Sequence, residues 1–520
     1  MISQRVRQCC NYGLLIAVLF AGGAVSAEDS VDRGPTKALS LTDCLRMALA
    51  NNLDLVSARQ DPMISEQNVM NADAAFDMAL TADYTRSESE QELSNQFSLD
   101  SSTDDTANVG ITKQLGFGGS YTVNLRDSRS IQTGPLVVVD TSYRSSLTGQ
   151  FDMPLMRGFG SETAQEQLKL AEGNLEISKE QLRVQANSTL ESVEAAYWDV
   201  AAAIRALGVS DRKLTRAEEL LELNRKKVEV GTLAPIEITQ AEAEVASNQE
   251  SLIVAEVTLE NAEDELLRLL AVPESDNLWA MAIDTVDEPT FDFREIDLPQ
   301  VIRTALDRRP EMKNAKQTLI NNELSERVAR QNVRPQLDLS VSYTATGNNF
   351  ELGAGPDGIP GTPDDMTVTM GALSEALSEI PDNDNFNWSA GVNFRYPLRN
   401  RAAKASYAIA QLNREKSAID VKNQEQTIRV EVRRAVRDVE SGKKRVDAAR
   451  ANVVLQRKKL EAEQKKFENG MSTSFEVLTF QNDLADAELA EIRALIDYNK
   501  ALVALERVKG TLLEARGLTL

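Results

Sequence analysis

Apolar residues recur every seven positions on both sides of Gly231. The repeat is formed by Leu207, Leu214, Leu221 and Val228 before this glycine, and by Ile238, Val245, Leu252, Leu259 and Leu266 after it. A seven-residue apolar repeat with charged residues between its members predicts two helices packed along a coiled-coil seam. Between them, Gly231 permits a tight turn and Pro235 disfavours helix at the residue before it. The pattern therefore predicts an antiparallel helical hairpin.

A matching hairpin follows at an offset of 239 residues. Its ascending arm repeats the apolar positions as Val446, Val453, Leu460 and Phe467. Gly231 recurs as Gly470, and Glu237 recurs as Glu476. The returning arm is less regular, because Val477 and Leu484 are followed by Glu491 out of phase. Two matching hairpins in one chain indicate an internal tandem duplication.

The duplication also covers the start of each half. A helical pattern begins at Leu41 and has a counterpart that begins at Leu298. We therefore divide the chain into a first repeat over residues 28–271, a linker over 272–297 and a second repeat over 298–520, with hairpin tips at about 228–237 and 467–476. Long helices are predicted over 161–229 and 401–468.

Two regions, at about 76–156 and 335–398, change from a helical period to a period of two. Their alternating apolar positions include Phe76, Met78, Leu80, Ala82 and Tyr84, then Leu337, Leu339, Val341 and Tyr343, then Trp388, Ala390, Val392, Phe394 and Tyr396. Strands of about ten residues with one apolar face fit the wall of a transmembrane barrel. Alternation alone leaves a soluble two-faced sheet open as an alternative. Residues 107–127 add strand-like sequence across Gly118 and Gly119 that this pattern does not place.

The formal charge is −23, from 57 basic and 80 acidic residues, and this balance argues against nucleic acid as a partner. The chain has no histidine, the commonest general base and metal ligand. No GxxxxGK[ST] motif is present, and no constellation of residues points to catalysis. Asp357, Asp364 and Asp365 lack the alternating spacing of a known calcium loop, which favours a solvated loop. We expect no enzyme activity, cofactor or metal site.

The first residues have the features of a secretory signal peptide over residues 1–27. Arg5 and Arg7 precede an apolar run over residues 14–21, and a small-residue cleavage site ends at Ala27. Cleavage there would leave Cys44 as the only cysteine, so no internal disulfide is expected.

Both strand regions end in a Pro-Leu pair, at Pro154-Leu155 and at Pro397-Leu398. The first pair continues as Met156-Arg157-Gly158-Phe159-Gly160, and Val230-Gly231-Thr232 forms the first hairpin turn. In their order within two tandem halves, these motifs resemble the TolC family of outer-membrane efflux and secretion channels. The resemblance covers nearly the whole mature chain.

The resemblance implies an α+β membrane protein that forms a homotrimer. Each protomer would give four strands to one twelve-stranded transmembrane β-barrel, which a long periplasmic α-helical coiled-coil barrel would continue. Four strands cannot close a barrel and would leave unpaired edges in lipid, so the protomer needs partners.

The function implied is an outer-membrane exit duct of a tripartite efflux or type I secretion system. Such a duct conducts substrates passively from a periplasmic adaptor protein and an inner-membrane transporter to the exterior of a Gram-negative-type cell. Two alternatives stay open: an exported coiled-coil spacer protein without a pore, and a surface enzyme.

The resemblance also implies the functional residues. Glu237 and Glu476 would narrow the pore, where Thr479 and Ser472 depart from the family pattern. The adaptor-binding tip would comprise Val230, Gly231, Thr232, Asn469, Gly470 and Met471. The alternatives are that the two glutamates are ordinary acids at helix starts, and that the two glycines merely end helices.

Overall fold

The computed structural model describes residues 35–90, 101–133, 139–273, 277–291, 295–352, 372–382 and 384–520. The predicted signal peptide and the three aspartates at 357, 364 and 365 lie outside the described residues. No helix within these ranges combines the length and hydropathy of a membrane span.

Helices form most of the described chain. They are α1 (Leu41–Asn51), α2 (Leu53–Ala58), α3 (Gln60–Asp73), α4 (Ser161–Ala164), α5 (Glu166–Glu229), α6 (Ile236–Leu270), α7 (Leu298–Arg308), α8 (Pro310–Asn332), α9 (Leu373–Ser378), α10 (Arg401–Glu468), α11 (Ser474–Lys509) and α12 (Leu512–Ala515). The strands are β1 (Thr36–Leu39), β2 (Met78–Glu90), β3 (Ser101–Gln114), β4 (Ser120–Thr133), β5 (Val139–Pro154), β6 (Ala282–Thr285), β7 (Gln336–Leu352) and β8 (Phe386–Arg395).

Local features of the sequence determine where several helices begin and end. The Ser40 hydroxyl accepts a hydrogen bond of 3.1 Å from the Asp43 amide and caps α1. Gly510, with φ of 73°, ends α11 in the left-handed conformation that glycine adopts without a Cβ clash. Pro310 begins α8, where its missing amide hydrogen leaves no helix bond unmade.

Six strands form one antiparallel sheet in the order β2-β3-β4-β5-β7-β8. The expectation of four strands per chain is therefore wrong, because the strand-like segment at 107–127 supplies parts of β3 and β4. Its apolar residues alternate as they do in the outer strands, and Gly118 (φ 100°) supplies the turn between the two strands. The segment thus has both the pleat and the turn that an antiparallel pair requires.

Each face of this sheet has its own chemistry. One row of paired residues across all six strands is Leu80, Ile111, Val123, Gly149, Tyr343 and Trp388. The adjacent row, which points to the opposite face, is Thr81, Gly110, Asn124, Thr148, Thr344 and Asn387. The sheet is therefore apolar on one face and lined with hydroxyl and amide groups on the other.

Four helices connect directly to one end of the sheet. Helix α3 leads through a short 3-10 turn into β2, β5 leads through α4 into α5, α8 leads into β7, and β8 leads into α10. These helices pack side by side in the order α3, α5, α8, α10, which is also the order of the strands that they join. Farther from the sheet, α6 packs on α5, α5 on α11, and α11 on α10.

The core follows the helical seams. One cluster joins α1, α5 and the end of α6, and includes the fully buried Leu45, Tyr197 and Leu266. Burial in this cluster raises the pKa of the Cys44 thiol to about 12. A parallel pair of short strands, β1 and β6, ties the linker to the start of the chain. In the second hairpin, the four apolar residues of the ascending seam, from Val446 to Phe467, are all buried.

Candidate functional site

The two hairpin turns have the same backbone closure. Gly231 and Gly470 adopt φ of 75° and 71°, so each occupies the left-handed region. The Thr232 amide donates to the Lys227 carbonyl at 2.9 Å, and the Met471 amide donates to the Lys466 carbonyl at 2.8 Å. A Cβ at either glycine would meet nothing within 4 Å. Glycine is therefore required here by its backbone angle, which ends the helix in the usual way.

Side chains strengthen each turn differently. The Thr232 hydroxyl donates to the Lys227 carbonyl at 2.9 Å, which holds the first turn against the end of α5. In the second turn, the Thr473 hydroxyl accepts from the Glu476 amide at 3.3 Å and caps α11. Helix α6 begins after Pro235 without a side-chain cap.

Glu237 joins the two hairpins of one chain. Its carboxylate is half-buried and accepts a hydrogen bond from the Ser474 hydroxyl at the start of α11. Glu476 is exposed, and the Ser472 hydroxyl lies 2.7 Å from its carboxylate. The structure therefore places both predicted acids in first helical turns at the same end of the molecule, but in different environments.

Glu463 extends this polar group into the ascending arm of the second hairpin. The Ser472 hydroxyl lies 2.6 Å from its carboxylate, and the Lys466 ammonium donates to it at 2.9 Å. These two donors hold the pKa of Glu463 below its usual value. Ser472 has one proton and faces both Glu463 and Glu476, so it donates to one of them at a time.

A cation–aromatic contact also crosses between the hairpins. The Lys227 ammonium lies 3.7 Å from the centre of the buried Phe467 ring and 3.4 Å from the Phe467 carbonyl oxygen. Such contacts are attractive because the ring face is electron-rich. The sequence analysis assigned no role to Lys227, Ser474 or Glu463. The one signal for this region is a lysine pair before each turn, at Lys226-Lys227 and at Lys465-Lys466.

Large apolar side chains are exposed around both turns. The exposed fractions are 72% for Val230, 59% for Ile236, 71% for Met471 and 63% for Phe475. Exposed apolar groups concentrated at one end of a molecule mark a contact surface for a partner. We call these four residues the tip patch.

The chain has two open sides. Among the described residues, β2 and β8 each pair with one strand of the sheet only, and both are exposed along their whole length. Exposed apolar residues follow the helices next to these edge strands: Val56, Met63, Ile64 and Met70 on α2 and α3, and Ile409, Leu412, Ile419 and Val430 on α10. Toward the tips they continue as Ile253, Val254 and Val257 on α6, and as Val454 and Leu455 on α10. We call these two sides the first edge (α2, α3, β2, α6) and the second edge (α10, β8).

Within the ranges that the structure describes, no three acidic or cysteine side chains lie together in a group that could hold a metal ion.

Comparison with known proteins finds matches over most of this chain. The family model described as "Outer membrane efflux protein" matches residues 144–272 and 301–511. Outer membrane efflux protein BepC of Brucella suis is 22% identical over 517 residues, which cover 97% of this chain and 91% of BepC.

Solved structures show the same fold. The Campylobacter jejuni CmeC outer membrane channel superposes with a TM-score of 0.65 at 16% identity, covering 91% of this chain and 86% of CmeC. The outer membrane protein VceC of Vibrio cholerae superposes with a TM-score of 0.64 at 14% identity, covering 90% of this chain and 96% of VceC.

Proposed function

Because the chain belongs to the outer membrane efflux protein family, we propose that it is the passive exit duct of a tripartite efflux system. In this proposal, three copies form one barrel in the outer membrane, and their helices continue it as a tunnel through the periplasm. A periplasmic adaptor docks at the hairpin tips and connects the duct to an inner-membrane transporter, which supplies the energy. The observation that carries the proposal is the two-faced sheet that ends in two unpaired strands.

The sheet has the chemistry of a membrane wall. Its apolar row runs without a polar residue from Leu80 on β2 to Trp388 on β8. The hydroxyl and amide groups of the other face suit contact with water. In lipid, the unpaired amide and carbonyl groups of β2 and β8 would each cost several kcal/mol, so the sheet must close with further copies.

The two open sides suit this closure. The exposed residues on α10 recur at helical spacing, from Ile409 through Leu412 and Ile419 to Val430, and form one apolar stripe. The first edge has its own exposed apolar residues on α2, α3 and α6. Contact between the second edge of one copy and the first edge of the next is head-to-tail, and such contacts generate rings. The family resemblance supplies the number of copies, which is three.

The helices give the duct its length. Helix α10 has 68 residues, and at 1.5 Å per residue it spans about 100 Å. Helices α6 and α11 return along α5 and α10 from the tips, so the tunnel wall continues to the hairpin turns. The tip patch, with Val230, Met471 and Phe475 exposed, is the proposed adaptor surface together with the turn residues Gly231, Thr232, Asn469 and Gly470.

Glu237 and Glu476 are the proposed constriction. Both lie in the first turn of a helix that starts at the tip. Three copies would bring six such carboxylates around one axis. Within one chain, the Ser474 hydroxyl donates to the half-buried Glu237, whereas Glu476 is exposed and lies beside the Ser472 hydroxyl.

The test combines mass with conductance. The mature protein, extracted in detergent and weighed by native mass spectrometry, is expected as three copies, and in a planar bilayer it should conduct ions. A coiled-coil spacer without a pore would instead dissolve without detergent and leave the bilayer sealed. A stable monomer in detergent, or a trimer that never conducts, contradicts the proposal.

A further inference from the structure

Strands β3 and β4 form a hairpin between β2 and β5 that the plan of four strands per chain does not contain. We propose that this hairpin, which we call the inserted hairpin, widens the membrane wall so that the duct passes bulkier cargo at its outer end. The proposal rests on the trimeric assembly proposed above and specifies the cargo size that its outer section admits.

The inserted hairpin is an integral part of the sheet. Strand β2 pairs with β3 over its whole length, β3 pairs with β4, and β4 pairs with β5, so β2 and β5 are not neighbours. Side chains on the polar face reinforce the order: the Asn108 amide donates to Asp83 at 2.7 Å, and the hydroxyls of Thr112 and Thr122 lie 3.1 Å apart. A plug folded across the opening would leave β2 paired with β5 instead.

Its side chains follow the two faces of the wall. Ile111 and Val123 lie in the apolar row with Leu80, and their neighbours Gly110 and Asn124 lie in the polar row. A strand pair with one apolar and one polar face is what a membrane wall requires at every position.

The turn of the inserted hairpin is seated against the junction of sheet and helices. The Gly160 amide donates to the Phe117 carbonyl at 3.0 Å. A Cβ at Gly118 would come within 2.4 Å of the Gly158 carbonyl oxygen, and φ there is 100°. Only glycine fits this close approach. At this end of the sheet, β3 therefore ends and β4 begins at the level where the neighbouring strands lead into helices.

Six strands also match the width of the helical section. Four side-by-side helices at 8–10 Å each occupy about 36 Å of circumference. A strand tilted by about 40°, with neighbours about 4.8 Å apart, occupies roughly 6 Å of circumference, so six strands take about 38 Å and four take about 25 Å. With the inserted hairpin, the wall continues from α3, α5, α8 and α10 into the sheet without narrowing.

The consequence is a wide outer section. Three chains with six strands each give an eighteen-stranded wall about 36 Å across at the backbone, against about 24 Å for twelve strands. Subtracting about 5 Å for side chains on each side leaves roughly 26 Å or 14 Å of lumen. A helix with its side chains is about 10–12 Å wide, so the wider lumen admits two helices side by side and the narrower only one. The cargo class is therefore hydrophilic and bulky, up to the width of a helical hairpin.

The register of the sheet allows β3 and β4 to be deleted without changing which faces of β2 and β5 are apolar. Leu80 shares a row with Gly149, and Tyr84 shares a row with Ser145, so β2 and β5 can pair directly with their apolar faces on the same side. Replacing residues 91–138 with Asn-Gly would join the outer ends of β2 and β5 by a two-residue hairpin turn. This four-strand variant is compared with a control in which Asn-Gly replaces only residues 91–100, between the paired Glu90 and Ser101, and all six strands remain.

The measurement is the distance between identical spin labels in the trimer. Thr148→Cys places one label on the polar face of β5 in every variant, and the buried Cys44 does not react. Because the backbone diameter scales with strand number and the label lies on the lumen side, the label–label distance should be at least about 1.5-fold longer in the six-strand proteins than in the four-strand variant. A label at Ser251→Cys on α6 should report the same distance in all three proteins, which are the full-length chain, the control and the four-strand variant. Polyethylene glycols of graded size, added from the outer side of a bilayer, should enter the six-strand channels up to a larger size.

The outcomes separate the two proposals. Equal Thr148→Cys distances in the two walls, or equal polymer limits, overturn the widening while the trimer stands. A protein without any label–label distance in the trimer range contradicts the assembly itself. If the four-strand variant does not assemble, electron cryomicroscopy of the unmodified protein in lipid nanodiscs decides by strand count, with eighteen expected and twelve overturning the inference.

Discussion

At the scale of single residues, the hairpin tips are held by a few polar contacts between distant parts of the chain. Glu237 accepts from Ser474, and Lys227 lies over the Phe467 ring. Both contacts join the first hairpin to the second within one protomer. In the proposed duct, opening the tunnel mouth would therefore either separate the tips of different copies or break these contacts.

We expect the double substitution Glu237→Ala and Glu476→Ala to weaken cation selectivity and divalent-ion block in planar-bilayer recordings. The reason is the loss of up to six carboxylates around the proposed constriction, whose field attracts cations. The double substitution Glu237→Gln and Glu476→Gln removes the same charge but keeps the acceptor for Ser474, and should give the same loss of selectivity. Unchanged selectivity in both variants would place these residues outside the pore.

Glu463 should make the tip sensitive to acid. Its pKa is lowered in the folded state by the Ser472 hydroxyl and then by Lys466. A carboxylate with a lowered pKa contributes stability above its unfolded value, near 4.5, and this stability is lost as pH falls through the lower folded value. At pH 7, Glu463→Gln should unfold at a lower temperature than the native protein, and the difference should shrink as the pH falls below 4.5. The exposed Glu468→Gln serves as the control. A difference that does not shrink as the pH is lowered would contradict this linkage.

At the scale of elements, each helical hairpin is closed by its backbone. The amide bonds from Thr232 and Met471 to the ends of the long helices, with glycine at positive φ, suffice to reverse the chain. Val230 and Met471 are more than two-thirds exposed, so their side chains add little buried surface to the closed turn. Apolar residues in this position are best explained by contact with a partner.

Placing charges on the tip patch should therefore disrupt docking of the adaptor without affecting folding. Val230→Glu with Met471→Glu is expected to leave trimer mass and unfolding temperature unchanged, yet to abolish export in cells and cross-linking to the adaptor. The matched control, Val230→Ile with Met471→Leu, keeps the surface apolar and should keep export. Export at native levels in the charged variant would show that the turns only reverse the chain.

At the scale of the whole molecule, one chain has two open edges. The strand order and the helix order agree, so the first and second edges lie on opposite sides of both the sheet and the helical section. Each edge combines an unpaired strand with exposed apolar helix residues. In the proposed trimer, both edges would be covered by neighbouring copies, and the stability of one copy would depend on them.

Breaking the α10 stripe should break the ring. Ile409→Glu with Ile419→Glu places two charges at the proposed contact between copies, where burying an unpaired charge is costly. We expect detergent-extracted protein to shift from trimers to smaller species by native mass spectrometry. Gln411→Glu, exposed on another side of the same helix, should leave the trimer intact. A trimer that survives the double substitution would remove α10 from the interface.

The sequence by itself determined the features that are local and periodic. The heptads predicted the long helices, which the structure places at Glu166–Glu229 and Arg401–Glu468. Alternation predicted the strands, and the repeated glycines predicted two equivalent turns. These properties are readable because each depends on neighbours within one or two turns of helix or one pleat of strand.

Only the tertiary structure decided how those pieces combine. Residues 107–127 showed strand character in the sequence, but the pattern does not name a strand's partners, and the resemblance to a four-strand plan left them without a place. The order β2-β3-β4-β5 places both strands inside the sheet. Glu237 and Ser474 are 237 residues apart and meet because two hairpins pack side by side. Local periodicity determines which face of an element is apolar, whereas register and partner choice depend on long-range packing that no short window of sequence contains.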